Sequence, residues 1–152
     1  MFILKVGKAN QGLLEEGREC FYIGAKKENN GIMFSCKADK NIMLDGNCLV
    51  FICNGEGSVG YANYMDESFA GTTDIVAGYN ENLNVYTGLF IATVACLERP
   101  KYSFGRKWKT KLADTILKLP AIDEGIPDWQ WMEDYMKSLP YSDRLDLNSI
   151  NI

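Results

Sequence analysis

The sequence predicts an α+β domain, on three observations. Short apolar runs separated by turn-forming residues recur through the first half, an amphipathic helical pattern comes late, and the strand-helix-strand alternation that builds a parallel sheet is absent. With 152 residues, 47% hydrophobic and 24% charged, the chain has the balance of a globular protein and the length for one core. Residues 1–139 are expected to form the domain, and residues 140–152 a polar, flexible tail.

Phe2 to Val6 is a short apolar strand, followed by a polar connection from Lys8 to Glu16. Cys20-Phe21-Tyr22-Ile23 is a second strand, bounded by Gly24. Lys26-Lys27-Glu28-Asn29-Asn30-Gly31 ends in an Asn-Gly pair, which tolerates positive φ and marks a turn, so its lysines belong on an exposed loop. Ile32-Met33-Phe34 resumes a strand, and Asp45-Gly46-Asn47 is another turn. Cys48-Leu49-Val50-Phe51-Ile52-Cys53 is apolar without interruption, as a strand buried on both faces must be, so it is the central strand.

Beyond it lie a glycine-rich segment, Gly55 to Gly60, a stretch interleaved by Tyr61, Tyr64 and Phe69, and Gly71-Thr72-Thr73-Asp74 leading into the strand Ile75-Val76-Ala77. Leu83 to Cys96 fits a helix, with Thr and Val in its second half leaving a strand open. Lys101 to Trp108 is a loop, Thr115 to Leu119 alternates like a strand, and Asp123 to Pro127 is a turn. A short helix starts at Pro127-Asp128-Trp129 and is ended by Pro140.

Composition removes several kinds of chemistry. The five cysteines are odd in number, show no CxxC spacing and have no histidine beside them, so a mixed zinc site is excluded and buried free thiols are expected. Without an imidazole there is no Ser-His-Asp or Cys-His nucleophile system. Glu133-Asp134 is a pair that surface helices carry routinely. No cofactor is expected. The apolar start breaks at Lys5, too early for a signal peptide, and no run approaches the roughly 20 apolar residues of a membrane span. A reduced, cytoplasmic protein follows.

The net charge of −4 hides a segregation. From Arg99 to Lys118 seven cations face Asp114 alone, whereas from Asp123 onward seven carboxylates face only Lys137 and Arg144. Local charge is what a polyanion meets. Between Arg99 and Lys111 the cations alternate with Tyr102, Phe104 and Trp108, a mixture suited to phosphate contact with stacking, although the same aromatics could be core under a charged face. Lys26, Lys27, Asn29 and Asn30 could bind phosphate and base edges, or be a solvated turn. Gly55-Glu56-Gly57-Ser58-Val59-Gly60 matches GxGxxG after a strand. Tyr61-Ala62-Asn63-Tyr64 is a poor helix start, however, so a turn that lets backbone approach another surface is the better reading than a dinucleotide site. Trp129, Met132 and Met136 share one helical face with Trp131 and Tyr135 beside it, a pattern for packing in the core or against a partner.

The block Gly46 to Tyr61 resembles target-recognition domains of type I restriction-modification specificity subunits and of related type II specificity subunits. So, in the same order, do Tyr22 to Lys27 with Asn29-Asn30-Gly31, Gly71 to Asp74, Leu97 to Lys107, and Ile116 to Leu119 followed by Pro127-Asp128-Trp129-Gln130. Together these blocks span about Lys5 to Leu139. The resemblance implies a mixed α/β domain with a twisted, mostly antiparallel sheet, glycine-rich loops and a short C-terminal helix. It implies a non-catalytic component that reads part of a double-stranded DNA site. Methyl transfer and cleavage would then lie in other parts of the system, the partners being a DNA methyltransferase subunit and a restriction subunit, with homodimerisation left open.

On that reading Lys26, Lys27 and the Lys101 to Lys111 segment, with Lys101, Tyr102, Arg106, Lys107 and Lys109, hold the DNA backbone. Asn29, Asn30, Asn54, Ser58, Tyr61, Thr72 and Thr73 are candidates to read bases. Arg106→Ala should then weaken binding to all sequences alike and Asn30→Ala should relax preference at particular positions. The alternative function is a free-standing interaction module that assembles with or modulates a methyltransferase or specificity subunit through Trp129, Met132 and Met136. A small enzyme using carboxylates has no supporting constellation.

Overall fold

The computed structural model describes residues 1–101 and 108–145. In chain order the strands are β1 (Ile3–Val6), β2 (Leu14–Ile23), β3 (Ile32–Ala38), β4 (Met43–Leu44), β5 (Cys48–Ile52), β6 (Ala62–Met65), β7 (Phe69–Gly71), β8 (Ile75–Tyr79), β9 (Ala121–Asp123) and β10 (Ile126–Pro127). The helices are α1 (Val85–Leu97) and α2 (Trp129–Ser138). Two four-stranded sheets form, one in the order β1-β8-β5-β6 and the other in the order β3-β2-β7-β4, with β9 and β10 a separate hairpin. Every pairing of these strands is antiparallel except β2 with β7. The class is α+β as expected, with the strands divided over two sheets where one was anticipated.

The division follows from β5. All five of its residues are buried, and strand geometry sends alternate side chains to opposite faces. Leu49 and Phe51 join a core with Ile91, Ala95, Trp108 and Met132, beneath the helices. Cys48, Val50 and Ile52 join a second core with Ile23, Leu44 and Phe69 of the other sheet. A strand apolar on both faces therefore needs a layer on each side, and the result is helices, first sheet, second sheet. Behind the second sheet Cys20, Tyr22, Cys36 and Ala70 make a smaller cluster.

The ambiguity over Leu83 to Cys96 is resolved by its start. The Asn84 side chain accepts hydrogen bonds from the Tyr86 and Thr87 backbone N–H groups at 2.9 and 3.0 Å, and Thr87 Oγ1 accepts from the Asn84 N–H at 2.9 Å. That reciprocal cap satisfies donors an isolated helix leaves open. Gly88 lets α1 lie against β6: a Cβ there would stand 2.2 Å from the Tyr64 ring. α2 docks on α1 through Phe90, whose ring meets Trp131 and Tyr135 edge-on at 6.1 and 5.9 Å, and through Asn84 Nδ2 donating to the Glu133 carboxylate at 2.8 Å.

Several expected elements differ. β2 begins at Leu14, inside the expected polar connection, and β6 and β7 form where only interleaved aromatics were read. Thr115 to Leu119 is not a strand: Leu117 and Leu119 pack on the core and Ile116 is exposed, so the alternation reported burial correctly, but among the described residues no neighbouring strand pairs with it. Asp123 to Pro127 turns as expected, within the β9-β10 hairpin. Among the described residues no helix is long and apolar enough to cross a membrane.

Candidate nucleic-acid interface

Four loops meet at one end of the two sheets: residues 24–31 after β2, 53–61 after β5, 72–74 before β8, and the chain on either side of the segment 102–107. The first two are joined by Ser58 Oγ, which donates to the Ala25 carbonyl at 2.9 Å. Gly55 sits in this contact at φ 120°, where a Cβ would stand 2.9 Å from Ala25 Cβ and 2.5 Å from Ser58 Oγ. The second and third are joined by Asn54 Nδ2 donating to the Asp74 carboxylate at 2.8 Å, and by the Cys53 N–H donating to the Asp74 carbonyl at 2.9 Å. Thr72 is tied back by its N–H to the Ile23 carbonyl, and its Oγ1 accepts from the Asp74 N–H at 3.3 Å. The fourth joins through Lys109, whose Nζ donates to the Thr73 carbonyl at 3.0 Å.

Trp108 anchors that last connection. It is fully buried, meets Phe51 edge-on at 5.3 Å, and its indole N–H donates to Thr115 Oγ1 at 2.9 Å. Of the aromatics considered for stacking, Trp108 is therefore core. The neighbouring Lys109 is exposed. Tyr102, Arg106 and Lys107, and with them Phe104, lie outside the described residues.

The candidate residues sort into two groups. Ser58 is buried and its hydroxyl is committed to Ala25, and Asn54 donates to Asp74, so these two side chains hold loops together, while the Thr72 hydroxyl accepts from Asp74 within its own loop. Asn29, Asn30 and Thr73 are exposed. Asn29 and Asn30 have φ of 50° and 52°, the left-handed conformation that asparagine tolerates better than most residues. Lys26 is half-buried, and Lys27 is exposed with its ammonium 3.8 Å from Glu28. Lys101 pairs with Glu98. Tyr61 is half-buried and packs on the second core.

Sequence reasoning placed Arg99 at the start of the basic segment but missed its stack on Tyr61 and did not name it as a contact residue. Its guanidinium lies 4.5 Å from the centre of the Tyr61 ring and donates to the Tyr61 hydroxyl. The approach is close because Gly60, at φ 91°, has no side chain: a Cβ would stand 3.0 Å from Arg99 Cα. The detectable signal was a glycine before an aromatic, paired with the first cation of the basic segment.

Two buried thiols are inert, Cys53 beside this end and Cys48 at the opposite end of β5. Burial pushes Cys53 up to about 12, opposed by the Lys109 ammonium, and pushes Cys48 up to about 12 as well. Neither supplies a thiolate nucleophile at neutral pH. Lys26, Lys27, Arg99, Lys101, Lys109 and Lys111 outnumber Glu28, Glu56, Asp74 and Glu98 along these loops.

On the helical side, Met132 is fully buried in the core and Trp129 is half-buried against it. Met132 is thus a packing residue with no surface for a partner. Met136 is half-buried, and the outward aromatics are Trp131 and Tyr135, stacked in parallel at 5.2 Å.

No family model matches the chain. It is, however, 30% identical over 116 residues to the specificity subunit of a type II restriction enzyme from Heyndrickxia coagulans, an alignment covering 76% of this chain and 34% of that protein. The chain is related to part of a restriction-modification specificity subunit. The fold agrees: the crystal structure of a type I restriction-modification S subunit from M. genitalium superposes with a TM-score of 0.60 at 20% identity, over 97% of this chain and 37% of that one. The resemblance drawn from the ordered sequence blocks to target-recognition domains is borne out. The chain spans about a third of the length of each of these relatives.

Proposed function

We propose that this chain is a DNA target-recognition domain, reading part of a double-stranded site for a restriction-modification system without catalysing a reaction itself. The observation that carries the proposal is the convergence of four sequence-distant loops into one hydrogen-bonded end that bears exposed amides among cations. Base edges are read by groups with fixed donors and acceptors, and an asparagine amide can pair with adenine through two hydrogen bonds. Lysine and arginine neutralise phosphates and set position. Asn29, Asn30 and Thr73 take the first role, and Lys26, Lys27, Lys101 and Lys109 the second. Asn54 and Ser58 hold the loops in register, and Thr72 fixes the turn of its own loop.

The recognition unit is residues 1–139, acting in the cytoplasm. Methyltransferase and restriction subunits supply the chemistry, and a homodimer is compatible with a site read in two parts. Selection from a randomised duplex pool at two salt concentrations tests the reading. A short enriched motif is the expected result, whereas binding that is sequence-blind and vanishes with salt leaves only a basic surface. With the motif in hand, Lys109→Ala should weaken all sequences alike, and Asn30→Ala should relax preference at particular positions. Equal losses on cognate and random DNA for both variants refute that division.

A second reading, an interaction module that binds a methyltransferase or specificity subunit, is favoured by one feature. Trp131 and Tyr135 remain 48% and 44% exposed although they stack on each other and on Phe90. Exposed, preorganised aromatics are typical anchors of protein interfaces. Stable co-purification with such a subunit, together with no DNA binding at low salt, selects this reading.

A further inference from the structure

We infer that Arg99 is a preorganised contact to a DNA phosphate, and that Tyr61 is its positioning residue and not a reader of bases. The inference rests on the DNA-recognition reading and adds to it a residue that the sequence had not singled out for contact.

An arginine on a protein surface ordinarily samples many rotamers, and ordering it on binding costs free energy. Here the ordering is already done. The Arg99 guanidinium lies over the Tyr61 ring, 4.5 Å from its centre, and also donates to the Tyr61 hydroxyl. The Tyr61 ring is held in turn by the second core. Gly60, at φ 91°, brings the two backbones together, since a Cβ would meet Arg99 Cγ at 2.8 Å. Three features thus fix one exposed cation: an aromatic platform, a hydrogen bond and a missing side chain.

Arg99 is also uncompensated. Among the described residues the neighbouring carboxylate, Glu98, is engaged by Lys101, and Arg99 has no carboxylate partner. A surface guanidinium held in place without an anion presents a planar fork that suits phosphate oxygens. Its neighbours point to backbone contact: Ser58, three residues before Tyr61, is bonded to Ala25 beside Lys26 and Lys27. The stack therefore continues a line of cations. Tyr61 has one ring face and the acceptor side of its hydroxyl engaged by Arg99, so its role is to hold the guanidinium.

The test uses the full chain, a labelled duplex carrying the selected motif and a non-cognate duplex of equal length, with Kd measured by fluorescence anisotropy across a salt series. Arg99→Ala should raise Kd roughly tenfold on both duplexes and reduce the slope of log Kd against log salt by about one. Arg99→Lys should restore most of the slope. Tyr61→Leu, which keeps the charge and removes its platform, should raise Kd severalfold on both duplexes with most of the slope retained, and Tyr61→Phe, which keeps the ring, should bind nearly as wild type. Because Arg99 is exposed, its two variants report even if Tyr61→Leu is poorly folded. An unchanged slope for Arg99→Ala, or a loss confined to the cognate duplex, overturns the phosphate assignment. A Tyr61→Leu protein that folds and binds like wild type overturns the positioning role. Failure of the wild type to bind either duplex at the lowest salt is a different result, and it removes the DNA-recognition reading itself.

Discussion

Replacing Gly55 with alanine isolates the contact that joins the first two of the four converging loops. Two costs act at this position. The backbone has φ 120°, outside the range L-residues adopt readily, which costs about 1–3 kcal/mol. The new methyl would also lie 2.5 Å from Ser58 Oγ and 2.9 Å from Ala25 Cβ. Displacing Ser58 breaks its bond to the Ala25 carbonyl, about 1 kcal/mol, and crowding Ala25 adds about 1–2 kcal/mol. Gly57 is the control two residues away: it has φ 72° and nothing within 4 Å of the point a Cβ would occupy, so Gly57→Ala carries only the backbone cost. The difference between the variants should be about 2–3 kcal/mol. For a chain of this size that corresponds to a melting temperature lower by roughly 4–12 °C for Gly55→Ala than for Gly57→Ala. Urea denaturation followed by far-UV circular dichroism supplies the free energies, and a thermal melt supplies the temperatures. If the two variants agree within about 1 kcal/mol, the loops are not coupled as described.

Asn84→Ala removes the cap of α1 together with the bond to Glu133 and should cost about 1–2 kcal/mol in the same denaturation assay, whereas Asn84→Ser should recover about half. Cys48 and Cys53, fully buried and with thiols pushed up to about 12, should not react with a disulfide reagent in the native protein, and all five cysteines should react once it is unfolded. Stability should be highest below pH 9 and fall above it. Folding raises these thiols from 9.0, and burial raises the Tyr64 phenol from 10.0 to about 12, so the unfolded chain releases protons first. Each thiol then contributes a loss of about 1.4 kcal/mol per pH unit between its unfolded and folded values, and the half-buried Tyr64 phenol a smaller one, screened by solvent. A melting temperature that stays constant between pH 8 and pH 11 contradicts this.

The parts of the fold legible in the sequence are those where one physical requirement dominates. A short uninterrupted apolar run bounded by turns suits a strand buried on both faces, and β5 is one. The Asn-Gly pair could only be a turn, and Asn29, Asn30 and Gly31 all have positive φ. Thr115 to Leu119 shows the limit: its alternation sets which side chains face inward, but a strand also needs a partner, and partnership is a tertiary property. The split into two sheets was hidden for the same reason. At the site, the positions of the loops were legible but the roles were not. Ser58 and Asn54 have side chains suited to reading bases and use them to bind other loops. Arg99 looked like one cation among seven, and only its stack on Tyr61 distinguishes it.

The acidic segment from Asp123 onward raises the question of how a chain of net charge −4 could hold a polyanion. The helices supply an answer. Asn84, at the N-terminus of α1, is bonded to Glu133 of α2, while Arg99 follows the C-terminus of α1. At 1.5 Å rise per residue the length of α1 puts the Glu133 carboxylate roughly 20 Å from the Arg99 end. The screening length at physiological salt is about 8 Å. A phosphate at the loop end is therefore separated from Glu133 by more than two screening lengths, and responds to Lys26, Lys27, Arg99 and Lys109 close by. Removing charge from Glu133 and Asp134 should accordingly leave the salt dependence of DNA binding nearly unchanged, while removing a single cation at the loops should not. Measured in one salt series, equal effects from both ends would mean that the field of the whole molecule, and not the loop end, governs association.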